Sequence, residues 1–515
     1  MKKIIILLIA IVILSCNRPT KNSLSQIDKN NSEQTYGKVI IIGKTDDSIA
    51  FKYFNVINFS SFNNKNYHED IKVIKDSLFL VIDSITGPQF FEIWASSKSK
   101  GHSYSAPFII EPNDTVVFEI KDLKLKFIGK NAKQNNFYAS MQDSTAEYMK
   151  NSYQGSIQKY KQNVDSIYNE KLVFFNQYIK DNDITSKSFI SKVKLDLKYR
   201  QLVELIAPRI KKSQYGNYSN DYNSLIPIIQ KENGNKEELF DYGSYLGNIS
   251  IDDFQNDNHL FFHGFKMGLN SLIRNYFENS DYTAYSKEKL VAEKAYIENN
   301  FDGKIKEFLL AGVITAYHYN GFGHSENEVS FLRELIHEYE NKYPKSLFKK
   351  EMNEILEDLT TYNFELSEFA LDTKFVNNIG DTLTLRKIFA RSNKRIKVVD
   401  FWASWCPPCV EQIKNGKDFK DRLLVENNVE WIYLSIDENH QQWLDRNKEF
   451  KHVLNFTNSF FILKGKKSTL AKSLKVSWIP RYVIFNKKNK IVLNNAPSPS
   501  DNEYFEKIID DIDSK

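Results

Sequence analysis

The sequence predicts a multidomain chain: a small antiparallel β domain near the N-terminus, an α-helical middle and an α/β domain at the C-terminus. Three observations predict it. The 515 residues suffice for two to four domains at about 150 residues each. The apolar period is near two from Tyr36 to about Lys130, near 3.6 from there to Glu365, and alternates between them afterwards. Two cysteines, Cys406 and Cys409, also stand directly behind an apolar strand. Hydrophobic residues make up 41% and charged residues 26%, which selects folded domains over disorder.

The N-terminus reads as a targeting segment. Lys2 and Lys3 precede an unbroken apolar run, Ile4 to Leu14, that is shorter than the roughly 20 residues a bilayer span needs. The run ends Ile13-Leu14-Ser15-Cys16, which resembles a bacterial lipobox. That resemblance implies a signal peptide over residues 1–15 and lipidation at Cys16, and hence a cell-envelope compartment where disulfide chemistry is possible. Residues 16–35, polar and without apolar period, read as the lipidated cysteine and a flexible tether.

Residues 36–130 carry short β-branched runs at Gly37–Ile42, Ser77–Ile82 and Thr115–Ile120. Turn chemistry at Thr86-Gly87-Pro88 and Pro112-Asn113-Asp114 bounds them, so a small antiparallel sandwich or barrel is expected. Residues 131–365 read as helices. One starts at Ser325 with Glu328 three residues on, a capping box, and places Phe331, Leu332, Leu335, Ile336 and Tyr339 on one face before Pro344. Another runs from about Leu347 to Leu359. No fixed-period repeat is visible. Residues 366–515 alternate: strand Ile396–Trp402, a helix at the cysteines, strand Val429–Ile436, helix Gln441–Glu449, strand Phe460–Leu463 and helix Thr469–Leu474. A hairpin of Arg481–Phe485 with Lys490–Leu493 and a last helix, Asp501–Ile512, complete the order.

Charge and cysteine count exclude several classes. The formal charge of +5 is small, and Lys2 and Lys3 fall in the segment read as removed, so no nucleic-acid partner is expected. Only three cysteines occur, and none lies between Cys16 and Cys406, so the middle of the chain has no disulfide scaffold. A zinc site would need a second ligand pair beside Cys406 and Cys409, and His440 and His452 supply no such spacing. His259 and His263 stand at i, i+4 without a third ligand nearby and read as core or surface residues; His318 and His324 read as loop residues. No metal and no cofactor is expected.

Cys406 and Cys409 at i and i+3 of a helix start can close a disulfide with little backbone movement. The helix dipole and free N–H groups favour a thiolate on the first. Cys406 falls at the N-cap, with Pro407 and Pro408 in the first helical positions, where proline is tolerated. Pro408 has no N–H, so Cys406 is left mainly with the amide of Cys409. Thiolate stabilisation should therefore be moderate, with a pKa near about 7 rather than about 3.5, and the couple reducing rather than strongly oxidising. Strand alternation sets Asp400 with the apolar Val398 and Trp402, which predicts a buried carboxyl with a raised pKa.

Asp400-Phe401-Trp402-Ala403 followed by Trp405-Cys406-Pro407-Pro408-Cys409 resembles the thioredoxin superfamily, and within it the TlpA/ResA-like thiol-disulfide oxidoreductases of bacterial envelopes. The resemblance covers about Leu366 to Lys515; Leu371 through Gly380–Leu385 is similar to the hairpin ahead of that family's first core strand. It implies a cis proline at Pro480, after Trp478-Ile479, facing the dithiol, with the Ile479 backbone pairing to a substrate strand. Trp405, Pro407, Pro408, Ile479 and Pro480 are then the substrate-binding residues. Cys406 is the implied nucleophile, Cys409 the resolving thiol and Asp400 the proton acceptor. Relatives commonly carry an acidic residue three positions after the second cysteine. Here that position is Gln412, with Glu411 turned about 100° away, so proton handling falls to Asp400 alone.

Lipobox, β domain, helical middle and C-terminal redox domain together resemble envelope lipoproteins of Bacteroidota, and Phe108–Asp114 is similar to a turn in their β domain, with Asn113 where glycine is usual. The expected function is reduction of protein disulfides at a membrane surface, with an unknown membrane electron donor. Isomerase or oxidase activity, or an adaptor whose N-terminal domains bind a partner, remain open. A peroxidase is disfavoured because no separate peroxidatic cysteine exists.

Overall fold

The computed structural model describes residues 36–513 apart from 48–49, 60–64, 98–101, 145–156, 207–244, 279, 281, 283–284, 321–323, 393, 455 and 501. Residues 1–35, with the expected signal peptide, Cys16 and tether, lie outside the described residues. Among the described residues no helix is long and apolar enough to cross a membrane.

The first body is a two-sheet sandwich. Nine strands build it: β1 Tyr36–Thr45, β2 Asn55–Asn58, β3 Lys65–Asn66, β4 Lys72–Ile74, β5 Ser77–Thr86, β6 Gln89–Ser97, β7 His102–Ile110, β8 Thr115–Lys121 and β9 Lys124–Ile128. One sheet has the order β4-β5-β1-β8-β9, the other β3-β2-β6-β7. The sheet is not wholly antiparallel as expected, because β1 pairs β8 in parallel while its other side pairs β5. The chain between β1 and β8 passes through the second sheet before returning, so β1 ends in the middle of the first. Val39, Ile41, Leu78, Leu80, Phe91, Ile93, Phe108 and Phe118 point inward from alternate positions and form the core. Phe54 stacks on Phe118 at 5.4 Å between centroids. Asn113 adopts φ 69°, the left-handed turn geometry that asparagine tolerates better than most residues.

Gly43 on β1 has no room for a side chain: a Cβ there would lie 2.4 Å from the Phe118 ring. Gly43→Ala is expected to destabilise the sandwich by about 1–3 kcal/mol, the usual cost of overpacking. Urea unfolding measures it, and an unchanged midpoint would show that the Phe118 ring yields freely.

The second body is helical: α1 Ala132–Ser144, α2 Ile157–Asp181, α3 Lys187–Ile206, α4 His263–Leu272, α5 Lys287–Asn300, α6 Gly303–Asn320, α7 Glu326–Lys342 and α8 Lys349–Thr360. The Ser325–Glu328 capping box forms as expected, and Leu332, Leu335, Ile336 and Tyr339 of α7 are buried. His318 is not in a loop. It sits in the last turns of α6, because the apolar run Phe308–Tyr317 carries the helix past it. His259 and His263 are both largely buried but do not share a helix, since Phe262 caps α4 between them. His259 meets the Tyr199 hydroxyl at 2.6 Å, and burial pushes both imidazoles down to about 4.

The third body holds α9 Glu368–Leu371, β10 Lys374–Val376, β11 Thr382–Thr384, α10 Leu385–Ala390, β12 Ile396–Trp402, α11 Pro407–Asn415 and α12 Lys417–Glu426. It continues with β13 Val429–Ser435, α13 His440–Glu449, β14 Ser459–Ile462, α14 Thr469–Ser473, β15 Arg481–Asn486, β16 Ile491–Ala496 and α15 Asn502–Asp513. The sheet order is β11-β10-β14-β13-β12-β15-β16. β12 is central, parallel to β13 and antiparallel to β15, and all seven of its residues are buried. That fits a strand covered by helices on both faces. The helical body is tied to this one: Lys475 Nζ donates to the Asp358 carbonyl at 2.8 Å, and the Ile491 amide donates to the Phe364 carbonyl at 2.9 Å.

Candidate active site

β12 delivers the site. Its apolar residues lock it at the sheet centre, and the chain leaves through Ala403-Ser404-Trp405 into α11. Cys406 is the N-cap of that helix, Pro407 and Pro408 occupy its first two positions, and the Cys406 sulfur accepts from the Cys409 amide at 3.3 Å. The two sulfurs are joined as a disulfide, with Cα atoms 5.3 Å apart. Both cysteines are buried, Cys409 the more completely, and Cys406 at the N-cap stands next to the exposed residues of the loop. Trp405, Pro407 and Pro408 are exposed around it.

The exit loop is held by a residue outside the motif. Asp437, buried just after β13, accepts from the Ser404 amide at 2.9 Å, from the Ser404 hydroxyl at 2.6 Å and from the Ser435 hydroxyl at 2.6 Å. Three bonds to one carboxylate fix the backbone one residue before Trp405. Sequence reading passed over Asp437, because nothing local marks it as facing Ser404.

Asp400 lies in the sheet interior, opposite Tyr433 on β13 and Tyr482 on β15. It is buried, and neither carboxyl oxygen has a hydrogen-bond partner among the described residues. Lys420 of α12 brings its ammonium to 3.7 Å, an ion-pair distance too long for a hydrogen bond. The same ammonium lies over the rings of Trp431 and Tyr433, at 4.8 and 4.9 Å. Burial pushes the Asp400 carboxyl up to about 6 against the partial pull of Lys420, and burial lowers the Lys420 ammonium. Lys420 was also missed. Its signal was a lysine between Phe419 and Leu423, on the side of α12 that packs inward.

Gln412, in place of an acid, accepts from the Tyr482 hydroxyl, while Glu411 is exposed. The Ile479–Pro480 bond is cis. Arg481 follows it opposite Phe401, which sets Pro480 beside the end of β12 where the cysteine loop departs. The buried Arg481 donates to the Asn494 carbonyl at 2.9 Å, and its guanidinium lies 5.2 Å from the half-exposed Trp478 ring. Cys406, Cys409, Trp405, Pro407, Pro408, Ile479 and Pro480 thus share the end of the central sheet, with Asp400 beneath. Among the described residues no group of three or more His, Cys, Asp or Glu side chains is placed to hold a metal ion.

Residues 393–491 match the family described as thioredoxin-like. The C-terminal domain is thioredoxin-like. Solved structures similar to the chain include the thioredoxin domain of a thiol-disulfide oxidoreductase from Bacteroides vulgatus, at 16% identity, covering 28% of this chain and 99% of that one, TM-score 0.23. Another is a thiol-disulfide oxidoreductase from Bacteroides fragilis, at 19% identity, covering 26% and 95%, TM-score 0.23. A third is a thiol:disulfide interchange protein from Bacteroides sp., at 16% identity, covering 27% and 86%, TM-score 0.23. No curated protein matches the chain. Assignment of the thioredoxin-like domain rests on the family match and on the geometry above.

Proposed function

We propose that the chain is a membrane-anchored thiol:disulfide oxidoreductase that reduces protein disulfides in the cell envelope. The observation that carries this is the Cys406–Cys409 pair at the start of α11, with the buried Asp400 carboxyl, its pKa raised by burial, on the strand that leads into it. In the reduced form the Cys406 thiolate attacks one sulfur of a substrate disulfide. A mixed disulfide forms and the other substrate sulfur leaves as thiolate. Cys409 then gives its proton to Asp400 and attacks the Cys406 sulfur, which closes Cys406–Cys409 and releases the second substrate sulfur as a thiolate; solvent protonates the two substrate thiolates. Two electrons pass to the substrate, and a dithiol donor restores the pair. At neutral pH Asp400 is mostly ionised and able to take that proton. Trp405, Pro407 and Pro408 form the rim of the approach, and Ile479 and Pro480 offer backbone to an extended substrate segment. Lipidation at Cys16 holds the whole at the membrane.

Insulin reduction by the full chain, with dithiothreitol as electron donor, tests the catalytic reading. Turnover well above the donor alone is expected. A rate equal to that of the donor alone would leave the adaptor reading standing. Refolding of scrambled ribonuclease, if faster than insulin reduction, would favour the isomerase.

A further inference from the structure

The outer face of the five-stranded sheet is amphiphilic in a pattern the redox function does not use. Register places Phe79, Ile42, Val117 and Ile128 side by side across β5, β1, β8 and β9, all pointing away from the sandwich core. Val81 and Ile40 form a second pair beside them. Phe79 is 38% and Val81 47% exposed, and the other four are partly exposed. The next row along is charged: Lys44, Glu119 and Lys126 lie opposite one another. Lys121 and Lys124 pair just beyond it, and Lys72 stands beside Phe79 at the far edge. Five lysines against Glu119 and the exposed Asp83 give the apolar band a net positive border, the layout that favours an anionic lipid surface, with aliphatic groups entering the headgroup boundary and ammonium groups meeting phosphates.

Two facts on the same strand select a membrane over other occupants. β1 starts at Tyr36, directly after the residues read as lipid anchor and tether, and Ile40 and Ile42 follow within about 20 Å of extended strand. A tether that enters this strand keeps the sandwich close to the bilayer, so weak docking suffices. A second copy packed face to face with its strands parallel would bring the lysine rows of both copies together, and antiparallel packing is tested below.

We propose that this face docks on anionic phospholipid and sets the orientation of the anchored protein. The inference rests on the lipoprotein reading for its context but not for its test. The chain from Asn17 to Lys515, which lacks the lipid-bearing cysteine and keeps every described residue, is sedimented with vesicles of phosphatidylcholine alone or containing phosphatidylglycerol. Binding is expected only with phosphatidylglycerol and should weaken as salt rises. Lys124→Glu/Lys126→Glu and Phe79→Glu/Val81→Glu should each lower partitioning by roughly tenfold or more. Val173→Glu, on an exposed position of α2, should leave it unchanged. Far-ultraviolet circular dichroism and an unchanged urea unfolding transition show that each variant is folded. Equal binding to both vesicles, or binding indifferent to both double variants, overturns the proposal. So does a dimer in sedimentation velocity that Phe79→Glu/Val81→Glu dissolves, which would assign the face to a second copy. Palmitate labelling of the full chain, lost in Cys16→Ala, tests the anchor separately; its failure would remove the anchor and leave the vesicle result to stand by itself.

Discussion

Cys406→Ser is expected to lower insulin reduction to the rate of the donor alone, while Cys409→Ala becomes covalently loaded with substrate. The asymmetry follows from capping and from position along the helix. Cys406 is the outer sulfur at the helix start and takes the Cys409 amide bond, so thiolate character concentrates there. Cys409 is enclosed and reaches only what Cys406 has already captured. Non-reducing gels after expression of Cys409→Ala should show adducts that dithiothreitol removes and that Cys406→Ser/Cys409→Ala lacks. Adducts of equal abundance in Cys406→Ser alone would reverse the two roles.

Asp400→Asn is expected to separate activity from stability. Release of the mixed disulfide should slow by roughly a hundredfold, the usual contribution of a positioned base, while formation of the mixed disulfide changes little. In the wild type the release rate should rise with pH through about 6, as the carboxyl ionises, and the Asn variant should lose that limb. Stability moves the other way. The folded carboxyl sits above its ordinary 3.8, so above pH 6 the fold carries a buried charge that the unfolded chain holds in water. That penalty is complete above about pH 6 and disappears as pH falls to 3.8, and it amounts to about 3 kcal/mol. Asp400→Asn should therefore lose this pH dependence of stability between about 3.8 and 6, while the buried Lys420 ammonium is left without its counter-charge at every pH. Glu411→Gln, an exposed change, should do neither. Equal slowing by Glu411→Gln would contradict the assignment to Asp400.

What was legible in the sequence was what local spacing encodes. Cys406 as N-cap, the two prolines behind it, the capping box at Ser325 and the strand Ile396–Trp402 all follow from contacts within one helical turn or one strand period. Burial of Asp400 was legible as well, because its strand neighbours on the same face are apolar. Partners brought by distant elements were not. Lys420 has the composition of a surface lysine, and only packing of α12 against β13 takes it inside. Asp437 lies 33 residues from the serine it anchors. The parallel pairing of β1 with β8 depends on which strand the chain returns beside, and no run of β-branched residues states that. His318 reads as a loop residue from the sequence, but the apolar stripe of α6 carries the helix through it to Asn320.

The two prolines at the start of α11 have a consequence for competition by ions. A helix N-terminus ordinarily attracts any small anion, because several free amides point at it. Pro407 and Pro408 remove two of those amides, and the first one left, on Cys409, is already taken by the Cys406 sulfur. Phosphate or chloride in the surrounding medium finds no seat there, so the electrostatic help of the helix is reserved for sulfur.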